Sequence, residues 1–189
     1  MTTSDEARGE LLVSLARSVL EHRLLGRVPP SQETAPWLDE PGAVFVTLML
    51  HGELRGCVGS LEATSPLGQD VAANAVAAAL RDPRFPPVSP DEVEELSIEI
   101  SVLEAPEPWP VASEAEVLEG LRPGIDGLIL EHAGGRATFL PQVWDQLPES
   151  ASFLRQLKRK AGLSAAAWDD SFRLSRYRVA KWRESKDRP

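Results

Sequence analysis

Apolar residues at Leu11, Leu12, Leu15, Val19, Leu20 and Leu24 recur at helical spacing and predict a helix from Glu6 to Arg27, stopped by Gly26 and Pro29-Pro30. Ser31 to Gly42 reads as a loop. Ala43 to Leu50 is an apolar, β-rich run, and His51-Gly52 after it reads as a two-residue hairpin turn into Glu53-Leu54-Arg55-Gly56-Cys57. Strict alternation along that return strand places Arg55 and Cys57 on one side. Ser65-Pro66 predicts a helix start, a capping hydroxyl before a proline at the first helical position, and the alanine-rich helix runs to Asp82, where Pro83 ends it. Ser89-Pro90-Asp91-Glu92 repeats the start signal with a full capping box, leaving room for a short helix only.

From Ser97 to Glu104 the chain alternates, with Ile98, Ile100 and Val102 on one face and Ser97, Glu99 and Ser101 on the other, the pattern of a half-buried strand. The second half repeats the mixture. A helix is predicted over Ala112 to Leu121 and a strand over Leu128 to His132, with Ala133-Gly134-Gly135 turning into a strand over Arg136 to Leu140. Phe153, Leu154, Leu157 and Ala161 follow helical spacing, with Gly162 placed as the C-terminal cap. Phe172 to Trp182 reads as a final strand of poor alternation. Without a regular strand–helix–strand rhythm, the fold class is α+β, a mainly antiparallel sheet flanked by helices.

Composition narrows the function classes. A chain of 189 residues, 42% hydrophobic, fits one domain or two lobes sharing a core. No apolar run approaches the roughly 20 residues of a membrane-spanning helix. The polar, acidic N-terminus is unlike a secretory signal, so the chain reads as cytoplasmic and without a membrane partner. One cysteine cannot form an internal disulfide, a zinc cage or an iron–sulfur ligand set. His22, His51 and His132 lack metal-binding spacing, and no metal or cofactor is expected. The glycines fit neither the dinucleotide fingerprint nor the P-loop.

The net charge of -9 is unevenly spread: Arg155 to Pro189 holds 11 Lys and Arg against 4 Asp and Glu, whereas Ser89 to Leu121 holds ten acidic residues and no basic one. The basic segment could face nucleic acid, but an acidic chain is poorly suited to neutralising phosphates. Solvation, or pairing of the two segments in the fold, explains the asymmetry more simply.

The candidate chemistry centres on Leu54-Arg55-Gly56-Cys57-Val58-Gly59. Gly56 and Gly59 leave the backbone bare around a lone thiol, and Arg55 would favour its reactive thiolate form. The plainer alternative is a small buried hydrophobe beside glycines that mark a bulge. Asp82-Pro83-Arg84-Phe85 is a second candidate, a proline-shaped turn able to aim the Arg84 guanidinium at an anion, or else a pairing of Asp82 with an arginine above a core Phe85. Glu99 and Ser101 could line the same cleft. Gln142 could bind a ligand or its own backbone, while Phe139 and Trp144 read as packing anchors.

The hexapeptide resembles the signature of the AMMECR family, whose bacterial members are described as AmmeMemoRadiSam system protein A. Asp82-Pro83-Arg84-Phe85, Glu99-Ile100-Ser101-Val102-Leu103 with Pro106-Glu107-Pro108, Gly124-Ile125-Asp126-Gly127-Leu128, Phe139-Leu140-Pro141-Gln142-Val143-Trp144 and Lys160-Ala161-Gly162-Leu163 follow in that family's order. The resemblance implies a larger lobe holding both termini and a smaller inserted lobe. These would form a single domain over 6–184, with tails at 1–5 and 185–189. It implies a system that includes Memo-like and radical-SAM proteins, which would carry any metal or cluster. This chain departs from the family pattern at Lys158, near a second cysteine position in many relatives, so Cys57 would act alone or not chemically at all.

Three functions follow as expectations. The first is a system component using a cleft around Arg55, Gly56, Cys57, Gly59, Asp82, Arg84 and Gln142 to hold a small anionic ligand or a partner protein. The second is a thiol-dependent enzyme with Cys57 as its catalytic nucleophile. The third is a nucleic-acid-associated factor using the basic C-terminal segment.

Overall fold

A computed structural model describes residues 3–28, 35–132 and 135–184. The predicted stops at Pro29-Pro30, the first residues of the 31–42 loop, the turn residues Ala133-Gly134 and the C-terminal tail lie outside these. The chain divides into two compact units, one from residues 1–103 with 180–189 and one from Glu104–Val179. The larger unit therefore holds both ends and the smaller is an insertion. Both are α+β with antiparallel pairing, matching the expected class.

In the first unit, α1 (Thr3–Leu25) precedes β1 (Pro41–Leu50), β2 (Glu53–Gly59), β3 (Ser65–Pro66), α2 (Leu67–Leu80) and β4 (Leu96–Leu103). In the second, β5 (Glu107–Pro108), α3 (Glu114–Gly120), β6 (Gly127–His132), β7 (Gly135–Phe139), α4 (Ser150–Lys160) and β8 (Arg173–Tyr177) follow, before β9 (Val179–Arg183) returns to the first sheet. The first sheet runs β2-β1-β4-β9 with β3 added on β1, and the second runs β5-β8-β6-β7.

The alternation of β1 and β4 builds the first core. Val44, Val46, Leu48, Ile98 and Ile100 are fully buried against Leu12, Ala16 and Leu20 of α1 and Val71, Ala75 and Ala78 of α2. Both ends of the chain are tied into this unit. Arg17 on α1 donates to the Val93 and Leu96 carbonyls at 2.6 Å each and to both carboxylate oxygens of Glu184, at 3.0 and 2.5 Å. The ring of Trp182 occupies the space over Gly9.

The second core gathers Leu128 and Leu130 of β6, Leu174 of β8 and Phe153, Leu154 and Leu157 of α4. Trp144 stacks on Phe153 with centroids 3.9 Å apart and its Nε1 donates to the Asp126 carbonyl, while Phe139 meets Phe153 edge-on. Both aromatic residues pack as the sequence suggests. The Asp126 side chain is buried against Arg122.

Four local expectations change. Ser65 does not cap α2, because it pairs in the backbone with Gly42 and the helix begins at Leu67, whose N–H reaches the Glu40 carbonyl. That helix ends at Leu80, so Asp82-Pro83 belongs to the following turn. The short helix after Ser89 is a single 3-10 turn over Pro90–Glu92, with its capping box formed. The final strand is two strands, one in each sheet, and this change of sheet explains its broken alternation.

Candidate functional site

The site begins with a turn. His51 and Gly52 adopt φ of 52° and 88°, the left-handed pair of a two-residue hairpin, and Leu50 pairs with Glu53 across it. Continued strictly, that register would put Cys57 opposite Val46, whose side chain faces the core. The ladder instead slips between Leu48 and Met49: Met49 pairs with Leu54, Leu48 with Gly56 and Thr47 with Cys57. Arg55 is the extra residue of a β-bulge, and the slip exchanges the two faces of the strand beyond it. Gly56 now turns toward α2, where a Cβ would stand 2.2 Å from the Ala78 carbonyl oxygen. Cys57 turns to the opposite face, beside Thr47, whose hydroxyl donates to Sγ at 3.3 Å. The expected sharing of one side by Arg55 and Cys57 is interrupted by this bulge.

Glycine at 56 thus admits the backbone of α2, and a Cβ at Gly59 would meet the Phe45 ring and the Val44 carbonyl. Behind Gly59, Ser60, Asp70 and Asn74 form a hydrogen-bonded cluster: Asp70 accepts from Val44 N and Ser60 Oγ, and Asn74 donates to the Val44 carbonyl.

Segment 82–92 straps the outer edge of β2. Cys57 N–H donates to Asp82 Oδ2 at 2.8 Å, and Arg84 Nη2 donates to the Cys57 carbonyl at 3.1 Å. These two side chains satisfy the edge-strand groups that a neighbouring strand would otherwise take. Arg84 also grips Asp82 through Nε at 2.9 Å and Nη2 at 2.6 Å. Asp82 is sealed, with 3% of its side chain exposed, whereas Arg84 is 53% exposed and stands over the Phe85 ring. Hydrogen bonding by Arg84, with help from the Cys57 N–H, holds the Asp82 carboxyl well below the usual carboxylate range.

Arg55 is committed differently. Its Nε and Nη2 form a bidentate pair with Glu92 at 2.8 and 3.0 Å, and it donates to the carbonyls of Pro86 and Pro87. Arg55, followed by the Ser89 N–H, draws the Glu92 carboxyl down to about 2. The guanidinium two residues before Cys57 in sequence therefore pins the strap rather than addressing the sulfur, and the arginine that reaches the Cys57 carbonyl comes from position 84.

On the face that Cys57 now occupies, Thr47 lies between it and Glu99 in register, so Cys57, Thr47 and Glu99 form a row across β2, β1 and β4. Glu99 is held by Arg183 at 2.8 Å and Lys181 at 3.8 Å, and Ser101 is buried two residues on. Gln142 belongs to the second unit, exposed on the 3-10 turn Pro141–Asp145. Lys158 is wholly buried there, paired with Glu114 at 2.9 Å. These ion pairs join the acidic and basic segments that the charge distribution set apart.

Sequence reasoning missed Thr47, because only the bulge brings it opposite Cys57. It missed Glu92 as the partner of Arg55, since the capping box accounted for that carboxylate already. Among the described residues, no group of three or more His, Cys, Asp or Glu is placed to hold a metal, and no helix is long and apolar enough to cross a membrane.

The AMMECR1 family profile matches residues 13–182. A protein of Thermofilum pendens is 40% identical over 177 residues, covering 85% of this chain and 81% of the relative. One of Methanothermobacter thermautotrophicus is 38% identical over 186 residues, covering 93% and 94%. The crystal structure of the uncharacterized protein PH0010 from Pyrococcus horikoshii superposes with a TM-score of 0.77 at 34% identity, covering 95% of this chain and 92% of that one.

Proposed function

The chain belongs to the AMMECR1 family, and from that premise we propose that it is a recognition component of a system with Memo-like and radical-SAM proteins. In this reading residues 6–184 act as one domain. Its recognition surface is the patch of Arg84, Phe85 and the Cys57 edge of β2, which takes an anionic group on a partner protein or a small ligand. Arg55, Gly56, Gly59 and Asp82 hold that surface in shape; Gln142, in the second unit, is a separate candidate contact and is not counted on it.

The observation that carries the reading is Arg84. It is anchored through Nε and Nη2 to a sealed carboxylate and to the Cys57 carbonyl, yet half its side chain is open. Its Nη1 takes part in none of these bonds. A fixed, planar donor of this kind loses little rotamer entropy when it meets a carboxylate or phosphate.

The test is calorimetry with each purified partner. Arg84→Lys keeps a cation on Asp82 but removes the planar fork, and is expected to weaken binding about tenfold or more while the chain stays folded, in line with loss of a charge-assisted bidentate contact. Cys57→Ser should leave affinity intact. Failure of either partner to bind the unaltered chain would sink the reading.

A second reading, a thiol-dependent enzyme, draws on the Thr47 hydroxyl that orients the half-buried sulfur. It requires native Cys57 to react with iodoacetamide, and Cys57→Ser to abolish turnover of the reconstituted system while complex formation persists. The nucleic-acid reading loses its motive where Lys158, Lys181 and Arg183 are paired with Glu114 and Glu99.

A further inference from the structure

The second unit contains a cavity of about 730 Å³ that the proposed recognition patch does not use. That volume lies within the roughly 300–1,000 Å³ of pockets that enclose small organic ligands. Its walls include Trp109, Trp168 and Phe172, and its charged lining is Glu116, Asp169 and Asp170 against the single cation Arg173. Tryptophan faces and a surplus of carboxylates share one preference, a positive group with an apolar body.

Glu116, Asp169 and Arg173 are each held in place. Glu116 is anchored at the start of α3: its N–H donates to Ser113 Oγ and its Oε2 accepts from Ala112 N, which leaves Oε1 out of these bonds. Asp169 accepts from the N–H and hydroxyl of Ser171 at 2.8 and 2.6 Å and faces His132 Nε2 at 3.1 Å. Those contacts, Ser171 first, draw its carboxyl down to about 2, so it carries full charge at neutral pH. Arg173 directs Nη1 to the carbonyls of Asp170 and Phe172, along its own backbone.

The aromatic walls are braced from outside the cavity lining. Arg176 lies over Trp109 with its guanidinium carbon 4.0 Å from the ring centroid. Trp168 and Phe172 stack on each other at 5.0 Å, with Lys158 Nζ 5.5 and 5.9 Å from the two rings. The Lys158 charge is matched by Glu114 at 2.9 Å, so it does not oppose a second cation. Stacked rings and two anchored carboxylates, Glu116 and Asp169, thus line one open hollow of the second unit.

We propose that this cavity is a binding site for a small organic ammonium ion, its charge facing Glu116, Asp169 and Asp170 and its apolar body against Trp109 and Trp168. The site stands on the second unit alone and does not depend on the Arg84 reading.

The full chain is titrated with benzyltrimethylammonium by calorimetry, and in parallel by NMR of the tryptophan indole N–H signals. Neopentylbenzene, with carbon in place of the charged nitrogen, and phenylacetate are the comparison probes. The cation should bind saturably and shift the Trp109 and Trp168 signals while that of Trp37 stays put. The carbon isostere and the anion should bind about tenfold more weakly or worse. Glu116→Gln with Asp170→Asn retains the capping contact and should weaken the cation about three- to tenfold without changing the melting temperature. Equal binding of the isostere or the anion would overturn the proposal, as would shifts at Trp37 alone or no saturation below about 10 mM.

Discussion

Asp82 shows how one carboxylate can organise two motifs. Its oxygens accept the Cys57 N–H, the Arg84 N–H and the Arg84 guanidinium, and its side chain is nearly closed to water. The ionised form is thus bound far more firmly in the folded chain than in the unfolded one, where the value is near 3.8. A carboxylate depressed by folding contributes stability that is fully present above its unfolded value and is lost as pH falls through its folded value. Glu92, depressed from 4.5 to about 2 by Arg55, acts in the same sense. The strap should therefore weaken progressively below about pH 4.5. Asp82→Asn keeps an acceptor for the Cys57 N–H but loses the charge. It is expected to cost about 1–3 kcal/mol at neutral pH, the range for a charged hydrogen-bonded group. Denaturant titrations at a series of pH values should show the difference from wild type shrinking below pH 4, and a constant difference down to pH 2 would refute the charge argument.

At the scale of elements, the hairpin and its bulge decide which side chain goes where. A two-residue turn sets one register, and the extra residue Arg55 sets another beyond it. Through that single slip Gly56 meets α2 and Cys57 leaves the core face. The close approach of Ala78 makes Gly56 intolerant of any side chain, since the obstructing atom is backbone. Gly56→Ala should destabilise the chain by about 3 kcal/mol, at the upper end for overpacking, because neither strand nor helix can give way cheaply. Urea unfolding measures this, and a change within error would mean that the strand shifts freely. The 82–92 strap belongs to the same scale. It is fixed at one end by Asp82 and Arg84 and at the other by Glu92 and Arg55, so the two motifs most separable in sequence form one structural device.

Across the whole molecule, closure of the first unit depends on its most distant residues. Arg17 and Glu184 are 167 positions apart, both largely buried, and Glu184 also accepts the Ile98 N–H at 3.2 Å. Removing one member of a buried pair strands the other charge. Glu184→Ala is expected to cost about 3–5 kcal/mol, more than Glu184→Gln, which keeps an acceptor for Arg17. Guanidinium unfolding of both variants tests this, and equal, small losses would show that β9 is held by its apolar contacts alone.

Periodicity and turn chemistry make most elements legible in the sequence by itself. The helical spacing of Leu12, Leu15, Val19 and Leu20, the alternation of Ile98, Ile100 and Val102 and the His51-Gly52 turn each depend on residues close in sequence, and each element is present. The capping box at Ser89 and the end of α4 at Gly162, with φ of 78°, are local in the same way. The joining of both termini in one unit came from resemblance to a family, not from periodicity. Tertiary structure alone decided the rest. Ser65 lost its capping role because a backbone partner at Gly42 was available across the fold. Arg55 turned to Glu92, and Arg84 to Cys57, because a bulge reverses strand faces without any residue type that announces it. The residues of the aromatic cavity, from 108 to 174 in sequence, have no shared local pattern, so only packing brings them around one void. Local chemistry specifies which elements form, and the long-range competition for hydrogen-bond partners and buried space specifies what their side chains face.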